Sequence, residues 1–264
     1  MPEGHTIHRL ARQVRGAFLG QRLEVTSPQG RLGGGAALVN GRVLDRVDAH
    51  GKHLFLGFDQ TWVHVHLGLF GRVTQGAGPA PTPQGAVRMR LQGAEDYLDL
   101  RGPTVCAVVG DADKRAVQAR LGSDPLRSDA SPDQAFARIR RRSTPIGALL
   151  LDQSVVAGVG NVYRAELLHR VGVWPFLPGR SLAEPVWHGM WDDLTTIMRA
   201  GVRSGRIVTT APEHRSGRSG RVRRADALYV YGRAGQPCRR CGDQVRADTL
   251  AARTLCWCPT CQPG

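Results

Sequence analysis

The sequence predicts an α+β protein of two domains: an N-terminal β-sandwich that begins with a single helix, and a helical C-terminal part that ends in a metal-binding β-hairpin. Three observations give this fold class. Apolar residues follow a helical period over residues 3–18, short β-prone segments continue to about residue 120, and two C-x-x-C motifs stand near the end. With 264 residues, 41% of them hydrophobic, the chain is long enough to build two cores.

The first helix is predicted over residues 3–18, where apolar residues recur every three or four positions and arginines occupy the opposite face. Glu3 lies in its first turn, where the helix dipole favours a carboxylate. The segments that follow are short, β-prone and separated by glycine and proline turns, which is typical of a β-sandwich. The predicted strands cover residues 23–25, 43–47, 54–58, 62–67, 87–91 and 97–100.

Beyond the strands, residues 121–135 are predicted to be a linker, because they are rich in Asp, Ser and Pro and have little periodicity. The pattern then becomes helical, with helices expected over 145–152, over 161–171 and from Glu184, where Pro185 suits a first turn. The chain therefore divides into a first domain over 1–120, the linker over 121–135, a helical domain over 136–225 and a terminal hairpin over 226–264.

Residues 211–224 are basic and rich in glycine and serine. We interpret them as a mobile loop near phosphate. A solvated surface loop fits the same composition equally well.

The charge of the chain points to a polyanionic partner. Lys and Arg number 36 against 22 Asp and Glu, a formal net charge of +14. Nucleic acid is the first candidate for such a surface, and an anionic membrane is the second. No apolar run reaches the ~18 residues of a membrane span, and charged residues interrupt any signal peptide. We expect a cytoplasmic protein that does not bind membranes.

Four cysteines near the C-terminus form a predicted zinc site. Cys238 and Cys241 make one C-x-x-C motif, and Cys258 and Cys261 make the second. This spacing is typical of one zinc ion held by four thiolates on a β-hairpin. Four protein ligands close the coordination shell, so the predicted role is structural rather than catalytic. The remaining cysteines, Cys106 and Cys256, are expected to be ordinary packed thiols.

Two other patterns have competing interpretations. The segment A-G-V-G-N-V-Y, residues 157–163, lacks the third glycine of a dinucleotide-binding motif. A helix that Asn161 opens fits better, because amides at a helix start bind phosphate; a purely structural helix connection is the alternative. His64 and His66 alternate along a strand and could suggest metal ligands, but without a third ligand we favour an ordinary strand face.

Several motifs together resemble the formamidopyrimidine-DNA glycosylase/endonuclease VIII family. They are P-E-G at residues 2–4, G-K-H-L at 51–54, H-L-G-L-F-G at 66–71, L-G-S-D-P-L at 121–126, G-V-G-N-V-Y at 158–163, and the arginine five positions before Cys258. Each is weak alone, but their order and spacing are specific, and they span nearly the whole chain. The actinobacterial endonuclease VIII-like branch is the most similar.

The resemblance implies a β-sandwich joined to a helix-two turn-helix domain with a zinc finger, with damaged DNA, double-stranded or partly open, between them. It also implies a monomer that removes oxidised bases and then cuts the abasic strand. Pro2 would be the nucleophile once Met1 is removed, because a free α-amine has a pKa near 8 and is partly neutral in the cell. Glu3 would move protons at the sugar, and Lys52 resembles the family lysine near the sugar and phosphate.

The remaining implied residues bind DNA. Leu69 and Phe70 would fill the hole left by a flipped base, unless they are simply core residues at a strand end. Arg101 resembles an arginine that faces the unpaired strand, and Asn161 and Arg253 would join Lys52 on phosphates.

The sequence departs from the purine-specific pattern D-P-R-x-F, because Gly102 and Pro103 follow Arg101. We therefore expect oxidised pyrimidines as the main substrates. A purine-lesion glycosylase, an enzyme for bulky adducts and a non-catalytic damage-binding protein remain as alternatives.

Overall fold

A computed structural model describes residues 2–217 and 222–264. The chain forms two compact units that divide after Arg120. Within the described residues, no helix combines the length and the apolar character that a membrane crossing needs.

The first unit is a sandwich of two four-stranded antiparallel sheets with one long helix. One sheet has the order β1-β6-β7-β5 and the other has the order β2-β3-β4-β8. The helices of this unit are α1 (Gly4–Phe18), α2 (Gly35–Val39) and α3 (Asp111–Ala119). The strands are β1 (Glu24–Thr26), β2 (Arg46–His50), β3 (His53–Phe58), β4 (Thr61–His66), β5 (Arg72–Ala77), β6 (Val87–Gln92), β7 (Asp96–Arg101) and β8 (Val105–Gly110).

Helix α1 forms because its apolar stripe, including Ile7, Val14 and Phe18, is buried in the core of the sandwich. At its start, the backbone N–H of Glu3 donates to Thr6 Oγ1 at 3.3 Å, which satisfies one amide of the first turn. Arg15, on the outer face, donates to the carbonyl of Val47 at 2.6 Å and ties the helix to β2.

The second unit is built around a buried helix and ends in a hairpin. Its helices are α4 (Pro132–Ile139), α5 (Ile146–Leu149), α6 (Asn161–Val171) and α7 (Glu184–Ser204). The hairpin consists of β9 (Arg246–Leu250) and β10 (Arg253–Trp257). Helix α6 has the predicted boundaries, ends at Gly172 in the left-handed conformation, and is buried on every side from Asn161 to His169.

The segment predicted as a linker, residues 121–135, is packed into the second unit instead. Ser123 pairs with Val156 in a parallel bridge, and the carboxylate of Asp124, 1% exposed, accepts from the backbone of Leu126 at 2.9 Å. Ser131 caps α4 by accepting from the backbone of Gln134. The Asp and Ser residues that suggested a linker therefore make local turn and cap hydrogen bonds.

Part of the predicted basic loop, residues 218–221, lies outside the described residues. Both flanks of that stretch are held by hydrogen bonds. Tyr229 Oη accepts from the backbone N–H of Ala211 at 2.9 Å, and Ser216 Oγ donates to Asp226 Oδ2 at 2.6 Å.

Candidate functional site

In the first unit, the N-terminal residues lie at the start of α1. Pro2 is half-buried, and Glu3, the residue that caps the helix, is 0% exposed. A carboxylate withdrawn from water at a helix start is able to hold or deliver a proton in a shielded site. Its neighbour His5 is also buried, and burial, with the charge of Arg9, lowers the pKa of His5 to about 4. His5 is therefore neutral at neutral pH.

Lys52 occupies the short turn between β2 and β3, and these strands belong to the sheet on which α1 packs. The turn is flanked by His50 and His53, which pair across the two strands. Burial, and then the charge of Lys52, lower the pKa of His66. The ammonium group of Lys52 is therefore close to this histidine.

Three histidines near Lys52 form a neutral cluster on the sheet. His53 Nδ1 lies 2.8 Å from His64 Nε2, and the centroids of the His53 and His66 rings are 4.8 Å apart. Burial, helped by neighbouring positive charges, lowers the pKa of His53 to about 3 and that of His64 to about 4. His64 and His66 both lie in β4, and within residues 2–217 and 222–264 the group whose atoms could hold a metal is the cysteine cluster described below.

The histidine cluster predicts a loss of stability in mild acid. Because the pKa of His64 is lower in the folded state than its usual 6.5, protonation favours unfolding. The stability contributed by neutral His64 is complete above pH 6.5 and is lost as the pH falls towards 4. The free energy of unfolding falls by at most about 1.4 kcal/mol per pH unit for one histidine, and screening by solvent reduces this slope. Urea unfolding of the wild type and His64→Phe at pH 7 and pH 5 checks this.

We expect His64→Phe, which keeps the stacking on Phe55, to lose less stability between pH 7 and pH 5 than the wild type does. The interval from pH 7 to pH 8 is the control, because the cluster does not change charge there. Equal acid losses in the two proteins would contradict the prediction.

Leu69 and Phe70 project from the turn between β4 and β5. The turn needs glycine at position 68, because φ there is +65° and a Cβ would come within 1.8 Å of Thr104 Oγ1. Leu69 is 46% exposed and Phe70 is 84% exposed, so these side chains do not belong to the core. Gly102 follows β7, and a Cβ there would lie 3.7 Å from the carbonyl of Phe70, so the loop after β7 is an immediate neighbour.

Arg101, at the end of β7, is held by a buried ion-pair network that the sequence did not reveal. Its guanidinium donates to Asp99 Oδ2 at 2.9 Å and to Thr74 Oγ1 at 3.1 Å. Asp99, 1% exposed, also receives two bonds from Arg90, at 2.7 and 2.9 Å. Burial alone would raise the pKa of Asp99, but its bonds to Arg90 and Arg101 hold this pKa below its usual range. The structure thus brings Arg101, Leu69 and Phe70 to adjoining loops.

In the second unit, the start of α6 is bonded to the tip of the hairpin. Asn161 Nδ2 donates to the carbonyl of Thr254 at 2.8 Å, and Asn161 Oδ1 accepts from Arg164. The guanidinium of Arg164, 0% exposed, also donates to the carbonyl of Leu250 at 3.1 Å. These bonds fix the start of β10, where the exposed Arg253 immediately precedes Thr254, the residue that is bonded to Asn161.

Glu166 is a second buried charge on α6 that sequence reasoning missed. Its carboxylate is 0% exposed and accepts four hydrogen bonds from segments on both sides of the basic loop. The donors are the hydroxyl of Thr209 and the backbone amides of Tyr229, Val230 and Tyr231, the amides lying at 2.7, 2.9 and 2.8 Å. The helix therefore anchors the chain before and after residues 211–228.

The four predicted cysteines come together at the end of the second unit. The sulfur atoms of Cys238, Cys241, Cys258 and Cys261 all lie within 4.8 Å of one another. The Cys238–Cys261 and Cys241–Cys258 sulfur distances are 3.8 and 3.4 Å. An ion bound tetrahedrally at the usual zinc–sulfur distance requires about 3.8 Å between sulfurs, so the quartet fits such an ion. Cys256 is buried in the adjoining small core, outside the quartet.

Comparisons with known proteins agree with this architecture. Family models match residues 1–106, as the formamidopyrimidine-DNA glycosylase N-terminal domain, and residues 121–212, as the formamidopyrimidine-DNA glycosylase H2TH domain. Formamidopyrimidine-DNA glycosylase from Lactococcus lactis, crystallised with DNA containing N7-benzyl-Fapy-dG, has the same fold, with a TM-score of 0.82, 21% identity and 100% coverage of both chains.

Curated relatives are more similar in sequence. Endonuclease 8 1 of Mycobacterium tuberculosis is 51% identical, covering 99% of this chain and 100% of the relative. The DNA-(apurinic or apyrimidinic site) lyase Nei2 of Mycolicibacterium smegmatis is 33% identical, covering 99% of each chain. The present chain therefore belongs to the formamidopyrimidine-DNA glycosylase/endonuclease VIII family, in its actinobacterial endonuclease VIII-like branch.

Proposed function

We propose that this protein is a bifunctional DNA glycosylase and AP lyase of base excision repair, which excises oxidised bases, pyrimidines in preference to purines. The observation that carries the proposal is the Pro2–Glu3 pair at the start of α1, with the Glu3 carboxylate fully buried. DNA binding alone needs neither residue. The 51% identity to a protein named Endonuclease 8 1 supports the same activity.

Base removal begins at Pro2. Once Met1 is removed, the Pro2 nitrogen is a secondary amine whose ordinary pKa near 8 leaves a useful fraction neutral. Its lone pair attacks C1′ of the damaged nucleotide, the glycosidic bond breaks, and the base leaves with the bond electrons and takes a proton from water. Glu3 accepts the proton that the Pro2 nitrogen carried and delivers it to O4′ as the sugar ring opens, and the Pro2 nitrogen becomes an iminium ion.

Strand cleavage follows from the iminium ion. Its positive charge draws electrons from C2′, so a proton leaves C2′ and the 3′ phosphate departs by β-elimination. A second elimination releases the 5′ phosphate, and water then hydrolyses the iminium and frees Pro2. These steps need no cofactor beyond the groups of the chain itself.

The exposed loops of the first unit suit a flipped nucleotide. Taking a base out of the stack leaves a gap that costs a few kcal/mol. We propose that Leu69 and Phe70 fill the gap and that Arg101 faces the opposite strand. The high exposure of Phe70 supports the first role, and the fixed position of the Arg101 guanidinium supports the second.

Lys52, Asn161 and Arg253 are the proposed phosphate ligands. The amide of Asn161 has two N–H groups, and the bond to Thr254 uses one of them. The hairpin that carries Arg253 is fixed by the four cysteines, which we propose hold one structural Zn²⁺. With four thiolates bound, zinc has no open position for chemistry and serves to rigidify the hairpin.

The covalent intermediate is the direct test. Protein with a confirmed Pro2 N-terminus is incubated with an oligonucleotide containing thymine glycol and with borohydride, which reduces the iminium to a stable bond. We expect a protein–DNA adduct that maps to Pro2, and none from a matched sample that retains Met1. An adduct with an abasic site but not with thymine glycol would support the AP lyase activity and would reject thymine glycol as a substrate. No adduct with either would support a binding protein.

A purine-lesion enzyme is the closest alternative. A protein named formamidopyrimidine-DNA glycosylase from Salinispora arenicola is 33% identical to this chain, below the 51% of Endonuclease 8 1. The replacement of the aromatic loop by Gly102 and Pro103 also disfavours purine lesions. Single-turnover excision of 8-oxoguanine faster than that of thymine glycol would favour the alternative.

We predict that Arg253→Ala weakens binding to damaged and undamaged DNA by the same factor, because a phosphate contact carries no base information. The dependence of log K on log salt should fall by about one unit of slope. Fluorescence anisotropy at several salt concentrations measures both effects. Arg246→Ala, which removes the same charge from the base of the hairpin, is the control. A loss confined to one lesion would contradict the role of Arg253.

A further inference from the structure

His169, in the last turn of α6, touches the cysteine quartet. Its side chain is fully buried, and its Nε2 atom lies 3.3 Å from the sulfur of Cys238. The centroids of the His169 and Tyr229 rings are 4.9 Å apart, so the imidazole is packed on that aromatic ring. Nothing in the helical pattern distinguishes this histidine from an ordinary core residue.

The chemistry of the quartet determines which atom carries the proton. A cysteine that binds a metal is a thiolate, which has no proton and only accepts. His169 Nε2 must therefore carry the hydrogen and donate to the sulfur. Nδ1 is then the bare nitrogen, and within the described part of the chain this buried atom has no hydrogen-bond partner. An unprotonated nitrogen is the form of this atom that needs no acceptor.

We propose that His169 is a positioning residue of the metal site, whose Nε2–H stabilises the Cys238 thiolate and slows the release of the metal. The inference rests on the proposed structural zinc. His169 is not itself a ligand, because the quartet of sulfurs is complete without it. A hydrogen bond to a ligand atom fixes that ligand's orientation and spreads its charge, and such contacts commonly change metal affinity 10–100-fold.

The same contact joins α6 to the first cysteine pair. Arg240, between Cys238 and Cys241, donates to the backbone carbonyls of His169 and Arg170 at 3.4 and 3.2 Å. The helix end is therefore held by the histidine side chain on one sulfur and by an arginine of the cysteine loop on two carbonyls. The start of the same helix carries Asn161, so the metal site and the proposed phosphate site are two ends of one rigid element.

The test compares zinc release from the wild type, His169→Phe and His169→Gln. Phenylalanine keeps the ring without a donor, and the glutamine amide places an N–H near the position of Nε2. Zinc content is measured first, and release into a colorimetric chelator is then followed over time. We expect one zinc per chain in each protein, release about 10–100-fold faster from His169→Phe, and release within about threefold of the wild type from His169→Gln.

Two further measurements keep the test decisive. In Co²⁺-substituted protein, the sulfur-to-metal charge-transfer band should move to longer wavelength in His169→Phe, because the thiolate loses a stabilising donor. If His169→Phe does not fold, His169→Asn replaces it, since its amide is too short to reach Cys238, and fast release is expected.

The role of His169 would be overturned if His169→Phe released zinc at the wild-type rate. It would also be overturned if His169→Gln released zinc as fast as His169→Phe does. A wild-type protein that binds no zinc would overturn the proposed zinc site instead.

Discussion

Replacing Glu3 with glutamine is expected to reduce the single-turnover excision of thymine glycol by about 10²–10⁴-fold, the usual contribution of a positioned general acid. Glutamine has nearly the same shape but cannot deliver a proton to O4′. DNA affinity should stay within a few-fold of the wild type, because phosphate contacts dominate DNA affinity and Glu3 is not among the proposed phosphate ligands. Rapid-quench assays measure excision, and fluorescence anisotropy measures binding.

The substitution should leave the helix intact. Two bonds that join Glu3 to Thr6 at the start of α1 use the backbone N–H and carbonyl of Glu3, and in the capping box the Glu3 side chain also accepts from the backbone of Thr6. Glutamine retains the backbone groups and a side-chain oxygen that can accept. A melting temperature close to that of the wild type would verify this. Glu95→Gln, in the exposed turn between β6 and β7, is the matched control and should excise at the wild-type rate.

An abasic substrate separates the two halves of the mechanism. It bypasses the glycosidic bond, and Pro2 can still attack C1′, so the Glu3→Gln protein should lose less activity on an abasic site than on thymine glycol. Normal turnover of thymine glycol by Glu3→Gln would remove Glu3 from the mechanism. A parallel collapse of DNA binding and melting temperature would show that Glu3 acts in packing.

The sequence was most informative where the signal is local. The boundaries of α6 were predictable because a glycine turn precedes Asn161, which opens the helix, and Gly172 supplies the left-handed residue that ends it. The cysteine quartet was predictable because two C-x-x-C motifs at this separation are typical of a site with four thiolate ligands. The first helix followed from its apolar stripe.

The predicted strands omit β5 and β8, and of these β5 has a weak local signal. β5 (Arg72–Ala77) has polar residues and a glycine, and most of its side chains are exposed. It is a strand because it pairs with β7, from Arg72 opposite Arg101 to Ala77 opposite Asp96, and composition does not record such pairing. The predicted strand over residues 43–47 begins only at Arg46, since Val43 forms an isolated bridge with Arg22.

The buried charges of α6 were invisible for a different reason. In sequence, Arg164 and Glu166 look like the solvent-facing residues of an amphipathic helix. In the structure, the helix is buried on all sides, and their partners come from segments about 40 to 90 residues further along the chain. Such partners become apparent only once the tertiary fold is known. The sequence therefore predicted that Asn161, at the start of this helix, contacts DNA, but it did not predict that Arg164 and Glu166 bond the helix to distant segments.

Glu166→Gln is expected to destabilise the second unit by about 3 kcal/mol, the largest stability effect that we predict. The carboxylate accepts bonds from three backbone amides and one hydroxyl, and hydrogen bonds to a charged group are worth about 1.5–3 kcal/mol each. Glutamine keeps one oxygen but turns an NH₂ group towards buried donors, which leaves them unsatisfied. Urea unfolding at pH 7 measures the loss.

Glu184→Gln is the control for this prediction, because Glu184 is exposed in the first turn of α7 and its loss should cost under about 0.5 kcal/mol. The position of Glu166 also predicts which part of the chain opens first when the second unit loses stability. Its partners precede and follow the basic loop, so weakening them should increase proteolysis of the chain between Thr209 and Tyr229 before the unit as a whole unfolds. If Glu166→Gln were as stable and as protease-resistant as the wild type, the carboxylate would not be the anchor of this segment, and the hydrophobic contacts of Tyr229 and Val230 would have to hold it instead.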